Sequence, residues 1–231
     1  MLFTYWHNSE LVLPPSTPAW RERFPDFTVF GDEDVIPLLG SDELRELYMQ
    51  IGIPACKSDI ARLVLLRAYG GLYIDAHAAP AEGDRLAETL DALSFYELLL
   101  FSKAWHAKAE TDFNLMNTVI AARRHAPALD TLIDAVFANL VRHRQMEREK
   151  QNYVPYHLFS LTGTMVMIDC FFAPSPNGYF IRPEFEERVH LYEMTSPTAP
   201  GFHLYQFYGY RKPGEHWSER QKHERLFRTA A

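Results

Sequence analysis

Two side chains able to hold a divalent cation stand on either side of one residue at Asp75-Ala76-His77. The segment leading into them, Leu72-Tyr73-Ile74-Asp75, is short and apolar and reads as a buried strand. Alternation along an extended chain puts Asp75 and His77 on the same side. A carboxylate oxygen and an imidazole nitrogen suit Mn²⁺, and Mg²⁺ less well, with phosphate oxygens and water completing the shell. A cation held there would offset charge developing on a departing phosphate group. The same residues also fit a capping Asp beside an unrelated surface His.

The residues that must position this pair lie just upstream. Ser58 is suited to cap a helix that runs to about Tyr69, and Gly70-Gly71 supplies a left-handed stop. On that helix Asp59 and Arg62 are one turn apart and face the same way. A carboxylate can accept sugar hydroxyls, and an Arg can hold a carboxylate or phosphate bidentately. Alternatively the two form a surface ion pair worth only ~0.3–0.5 kcal/mol. Gly70 and Gly71 permit positive φ and a close backbone approach, or simply end the helix.

The rest of the chain bounds what this segment can be part of. With 231 residues, 47% hydrophobic and 23% charged, the composition is that of a globular protein able to bury a core without disulfides. One domain spanning 1–231 is the simplest division, since no linker, repeat or low-complexity tract interrupts it. A net charge of −7 argues against a broad nucleic-acid footprint. Cys56 and Cys170, far apart and in apolar settings, read as reduced core thiols of a cytoplasmic protein. No apolar run approaches the ~20 residues that span a bilayer, and no signal peptide is visible at the N-terminus.

Elsewhere the pattern alternates strands and helices. Leu2 to Trp6 and Phe27 to Phe30 read as strands, with a short helix around Trp20 to Phe24 and two more within 33–52. Phe95 to Phe101 reads as a strand and 112–124 as a helix. After Pro127, Leu129, Leu132, Ile133, Val136, Phe137, Leu140 and Val141 recur at three-and-four spacing, which predicts a long helix with one wide apolar face. Its tail, Arg142 to Lys150, reads as a solvated charged face. Thr162-Gly163-Thr164 reads as a turn, residues 179–210 as strand-like, and the final twenty as a polar terminus. This order predicts an α/β layered fold.

The run Asp59-x-x-Arg62, then Gly70-Gly71-x-Tyr73-x-Asp75-x-His77, resembles the DXD segment of retaining glycosyltransferases with a GT-A fold. Initiating α-mannosyltransferases, capsular-polysaccharide transferases and glucosylating clostridial toxins carry it. The opening strand ending in Trp6, then Pro14-Pro15, Trp20 and Phe24-Pro25-Asp26-Phe27, is similar too. So is Asn114 to Pro127, as an Asn-containing helix before a turn, and so, loosely, are His203 and Trp217 near the end. The resemblance implies a mixed central sheet flanked by helices and a metal-dependent hexosyl transfer from a nucleoside-diphosphate sugar, UDP-linked before GDP-linked. It implies that Trp6 stacks on the base and that Gly70, Gly71, Tyr73 and Asp75 contact the nucleotide, with Trp217 closing over the pyrophosphate. Asp59 and Arg62 would hold the donor sugar and do the catalytic positioning. Asp75, His77 and His203 would be the metal ligands. The acceptor, whether glycan, lipid-linked, protein or small molecule, stays open. One departure stands out: the second Asp of the motif is His77, as in the Asp-x-His of polypeptide N-acetylgalactosaminyltransferases. That change is compatible with Mn²⁺ binding and equally with a binding protein that has lost turnover.

Overall fold

The computed structural model describes residues 1–7, 12–83, 85–104, 107, 113–176, 178–204, 207 and 214–228. Its centre is a six-stranded mixed sheet in the order β2-β1-β3-β6-β5-β9. These strands are β1 (Leu2–Tyr5), β2 (Thr28–Phe30), β3 (Gly71–Ile74), β5 (Leu98–Ser102), β6 (Leu115–Ala122) and β9 (Val189–Glu193). Strand β1 runs parallel to both β2 and β3, whereas β6 is antiparallel to β3 and β5. Two small ribbons lie outside this sheet: β4 (Ala79–Pro80) pairs with β10 (Phe202–His203), and β7 (Phe172–Ser175) with β8 (Gly178–Ile181).

Strand alternation divides the core between the two faces of the sheet. Phe3, Tyr73, Leu100 and Ile120 pack under helices α4 (Pro54–Tyr69), α6 (Pro127–Lys150) and α8 (Thr164–Phe171). Leu72, Ile74, Leu99 and Phe101 face the opposite way, toward Trp20 of α1 (Thr17–Arg23) and Phe202 of β10. Each such fully buried apolar side chain contributes roughly 1.5–3 kcal/mol. The expected mixed sheet flanked by helices is therefore present.

Three local expectations are corrected. The helix expected from Ser58 begins a turn earlier, at Pro54, a residue suited to the first helical position because its missing N–H is unpaired there anyway. Of the expected helix at 112–124, the described residues 113–124 contain strand β6 and no helix. Its run Leu115 to Ala122 lies between two strands and is covered on both faces, a setting in which a strand loses the alternation that marks it. Phe95 is highly exposed, and the strand expected from it starts only at Leu98.

Gly70 and Gly71 both have positive φ, 68° and 103°, as a helix stop requires. Their further role is close packing: a Cβ on Gly71 would meet the carbonyl oxygen of Met1 at 2.0 Å, and one on Gly70 the amide of Arg124 at 2.6 Å. The pair lets α4 turn back directly into β3 alongside β1.

The charge run Arg142 to Lys150 is solvated on one side only, with Arg142, Gln145, Arg148, Glu149 and Lys150 exposed. His143 and Glu147 are buried against the C-terminal segment, and Arg144 is buried beside Glu43 and Glu46. Glu147 Oε1 accepts the amide of Leu226 at 2.8 Å, Oε2 that of Phe227 at 3.3 Å, and His143 Nε2 lies 3.3 Å from Oε1. The amide of Gly52 donates to Leu226 O, and that of Arg228 to Gln50 O. The C-terminal segment thus has its backbone groups satisfied from two places far upstream, Glu147 and the Gln50–Gly52 backbone.

Burial alone would raise the Glu147 carboxyl, but His143 and the two amides outweigh it and hold the group below its ordinary value. Its stabilisation is complete above that ordinary value and is lost as pH falls through the folded one. Glu147→Gln is expected to lower unfolding free energy by about 1–3 kcal/mol at neutral pH. Urea titrations should show the deficit narrowing as pH falls from the ordinary carboxyl value through the lower folded one, where the parent carboxylate is at last protonated. A deficit independent of pH would contradict this account.

Candidate active site

Parallel pairing of β1 with β3 carries both chains out of the sheet at the same edge, the usual ligand edge of an α/β fold. Phe3 pairs with Tyr73, so the residues after Tyr5 emerge beside those after Ile74. Trp6 and His7 leave β1 there, and Asp75, Ala76 and His77 leave β3. Together with Ser58, Asp59 and Arg62 of α4, Asn117 of β6 and Trp217, they line a cavity of about 340 Å³.

Arg62 is the hub of the cavity floor. Its guanidinium donates to Ser58 O and Ser58 Oγ, each at 3.0 Å, and to Asn117 O. It lies 3.1 Å from Asp59 Oδ1 and 3.5 Å from Asp75 Oδ1, over the ring of Tyr73 with 4.8 Å to the centroid. Burial pulls the guanidinium down, but Tyr73, Asp75 and Asp59 more than reverse that and keep it charged. Asp59 is buried beside it, and its other partners are Asn117 Nδ2 at 2.8 Å and Thr162 Oγ1 at 2.7 Å. Desolvation raises the Asp59 carboxyl above its ordinary value against the pull of Arg62 and Thr162. Tyr73 donates to Asp75 Oδ1 at 2.6 Å, and burial keeps its phenol neutral.

Asn117 reaches the site through an irregularity in β6. Leu100 of β5 pairs with Ile120 and the next residue, Phe101, with Met116, so Asn117, Thr118 and Val119 have no partner on β5. Bulges of this kind re-aim side chains beside active sites. Thr118 O accepts the amide of Asp75 at 2.8 Å, which fixes the strand end.

The turn carrying Asp75 and His77 is held on several sides. Ala78 N donates to Asp75 O at 3.0 Å, and Trp20 Nε1 donates to Ala78 O at 2.9 Å. His77 Nδ1 stands 3.9 Å from Asp75 Oδ2. An oxygen and an imidazole nitrogen at that separation fit two ligands of one divalent cation. The charge of the lining points the same way, with the carboxylates of Asp59, Asp75 and Glu215 facing a single guanidinium, Arg62, among the described residues. The donor set therefore fits a metal, through two protein ligands.

The structure gathers Trp6, Asp59, Arg62, Tyr73, Asp75, His77 and Trp217 around one cavity, but not every expected residue is there. His203 pairs with Ala79 in the β4–β10 ribbon and does not line the cavity. Among the described residues no three His, Cys, Asp or Glu side chains form a metal-binding group, so His203 does not complete one with Asp75 and His77. Gly70 and Gly71 sit at the far end of β3, and their closest neighbours are protein backbone. Sequence reasoning missed Asn117, hidden in an expected helix, and Thr162 to Thr164, read as a plain turn. It also missed Glu215 and His216, which arrive with Trp217, and His7. The polar Asn117-Thr118 pair inside an apolar run was the available signal for the first.

Residues 18–82 match the family model described as a glycosyltransferase sugar-binding region containing a DXD motif. That span runs from α1 through the Asp75–His77 turn to just past β4. Among solved structures, the chain is similar to the PaToxG glycosyltransferase, with TM-score 0.47 and 15% identity over 73% of this chain and 67% of that one. It is similar to the UDP-bound glycosyltransferase domain from the YGT toxin, with TM-score 0.43 and 14% identity over 83% of this chain and 58% of that one. The catalytic domain of alpha-toxin from Clostridium novyi gives TM-score 0.36 and 16% identity over 48% of this chain and 32% of that one. This chain thus spans little more than half of the YGT domain. No curated protein sequence matches it. The family match covers residues 18–82 alone, and those residues run through two strands of the mixed central sheet, β2 and β3.

Thr162→Val keeps the shape but removes the donor on Asp59 Oδ2. Because the Asp59 carboxyl is already raised, its ionised form is the costly one, and the stability it allows is lost as pH rises through the folded value. The variant should lose about 1–3 kcal/mol at about pH 8. The deficit should shrink as pH falls and Asp59 takes up a proton, and Thr162→Ser should recover most of it. Thermal and urea unfolding at two pH values check this, and an equal loss at both contradicts it.

Proposed function

We propose that this chain transfers a hexose from a nucleoside-diphosphate sugar, UDP-linked, with retention at the anomeric carbon, using Mn²⁺ or Mg²⁺. The observation that carries the reading is the lining of the cavity: three carboxylates face one guanidinium, in a cleft that also has Trp6 and Trp217 on its wall. A nucleoside diphosphate brings further negative charge, and only a cation reconciles it with that lining. Asp75 and His77 would hold the cation. When bound, it would act as a Lewis acid on the departing diphosphate.

The chain's own groups do the rest by position and electrostatics. Trp6 stacks on the base, and Trp217 covers the pyrophosphate. Arg62, held by Asp59, Asp75 and the Asn117 carbonyl, presents a fixed positive edge to the donor. Asp59 accepts two hydrogen bonds and pairs with Arg62, so it acts mainly by orienting Arg62 and Asn117, with the donor sugar taking what capacity remains. A neutral Tyr73 keeps Asp75 Oδ1 engaged and leaves Oδ2 toward His77. The acceptor can be a glycan, a lipid carrier, a protein or a small molecule, and a single cytoplasmic domain over 1–231 belongs to the same proposal. No helix among the described residues is long and apolar enough to cross a membrane.

UDP with Mn²⁺ should raise the melting temperature by several degrees, through binding to the folded state alone. UDP-sugars should then release UDP slowly to water. Asp75→Ala should abolish the metal-dependent part of the shift and lower release at least about 100-fold. Tight UDP binding with no release for any sugar would indicate a nucleotide-sugar-binding protein, and no shift with any nucleoside diphosphate would end the reading.

A further inference from the structure

The wall of the cavity beside Trp6 contains a buried network that the transfer chemistry does not use. Asp32, at the start of helix α2 (Asp32–Val35), is its centre. Its Oδ1 accepts the phenols of Tyr5 at 2.5 Å and Tyr48 at 2.7 Å. Its Oδ2 accepts Lys57 Nζ at 2.6 Å and lies 3.3 Å from His7 Nδ1. Burial alone would raise this carboxyl, but His7, Lys57 and the two phenols reverse the effect and hold it far below the ordinary range. An ionised carboxylate only accepts hydrogen bonds, so every neighbour, His7 included, must donate to it.

This constrains His7. With Nδ1 carrying the proton toward Asp32, the neutral ring presents Nε2 as a bare acceptor. The two nitrogens lie on different edges of the ring, so the Nε2 edge is turned from Asp32. His7 lines the cavity directly after Trp6, and its side chain is 41% exposed. Lys57 already offsets the charge of Asp32, so the imidazole need not be charged to stay in place.

We propose that His7, oriented by Asp32, is the base-reading residue of this site and accepts a hydrogen bond from a ring N–H on the base edge. The inference rests on the nucleotide-sugar reading above and narrows it. Uracil and guanine present such an N–H, whereas cytosine and adenine present a lone pair at the corresponding position. Two lone pairs facing each other leave both groups unpaired, and sites built around a hydrogen bond reject analogues that lack it. Uracil and cytosine have the same size, so their discrimination isolates this contact from pocket volume. Asp32 itself is a positioning residue, since it touches His7 and not the ligand.

The test is calorimetric binding of UDP and CDP, then GDP and ADP, to the full chain with Mn²⁺. It is run at mildly alkaline pH, which favours the neutral ring. The parent should prefer UDP over CDP by at least about ten-fold, the size of one hydrogen bond left unpaired. His7→Phe, which keeps a ring on the cavity wall, should bring the ratio within about two-fold. Nitrogen NMR of the free protein should find His7 protonated at Nδ1. A parent ratio near one, a ratio unchanged in His7→Phe, or a proton on Nε2 would overturn the inference while leaving the nucleotide site standing. If none of the four diphosphates binds, the underlying reading fails and this inference falls with it.

Discussion

One guanidinium organises the candidate site. Arg62 is buried, and a buried cation without partners would cost several kcal/mol. Its cost is met from four different elements: Asp59 and Ser58 on its own helix, Tyr73 on β3, Asp75 just beyond that strand, and the Asn117 carbonyl on β6. Each of these must be in register for the charge to be satisfied. The positions of helix, strand and bulge are therefore coupled through one side chain. A site built this way is rigid before any ligand arrives, as catalysis by positioning requires.

That same arrangement leaves an imbalance. Arg62 neutralises one carboxylate while Asp59, Asp75 and Glu215 all line the cavity. An acidic cleft with an oxygen and a nitrogen ligand side by side fits the cation proposed above. The wall beside Trp6 is built differently. There Asp32 is surrounded by donors and carries no such excess, so it fixes orientation and attracts no ion. One wall of the cleft depends on a buried acid. Glu147 anchors the C-terminal segment that follows Trp217, so the wall bearing Glu215, His216 and Trp217 is held by a helix on the far side of the chain order.

Much of this was legible in the amino-acid order, and the part that was not follows a rule. The glycine pair, the short strand after it, the helical face from Leu129 to Leu140 and the Asp-x-His pair are each defined within one turn or strand. Their physics is local: positive φ, apolar spacing, ligand chemistry. Where a segment's identity depended on what covered it, reading failed. Leu115 to Ala122 is apolar on both faces, so no period distinguishes strand from helix, and Asn117 stayed hidden with it. Within Arg142 to Lys150 most side chains are solvated as their composition suggests, and only a distant segment shows that His143 and Glu147 are not.

By itself the sequence determined which chemistry is available, because ligand types, an Arg beside an Asp, and glycines at a stop are properties of neighbouring residues. Only the tertiary structure decided which of them meet. It set Asp59 against Thr162 and Asn117, turned His7 onto Asp32, and left His203 in a ribbon with Ala79. Those outcomes depend on strand order and a three-residue irregularity in pairing, quantities that no local pattern of side chains encodes.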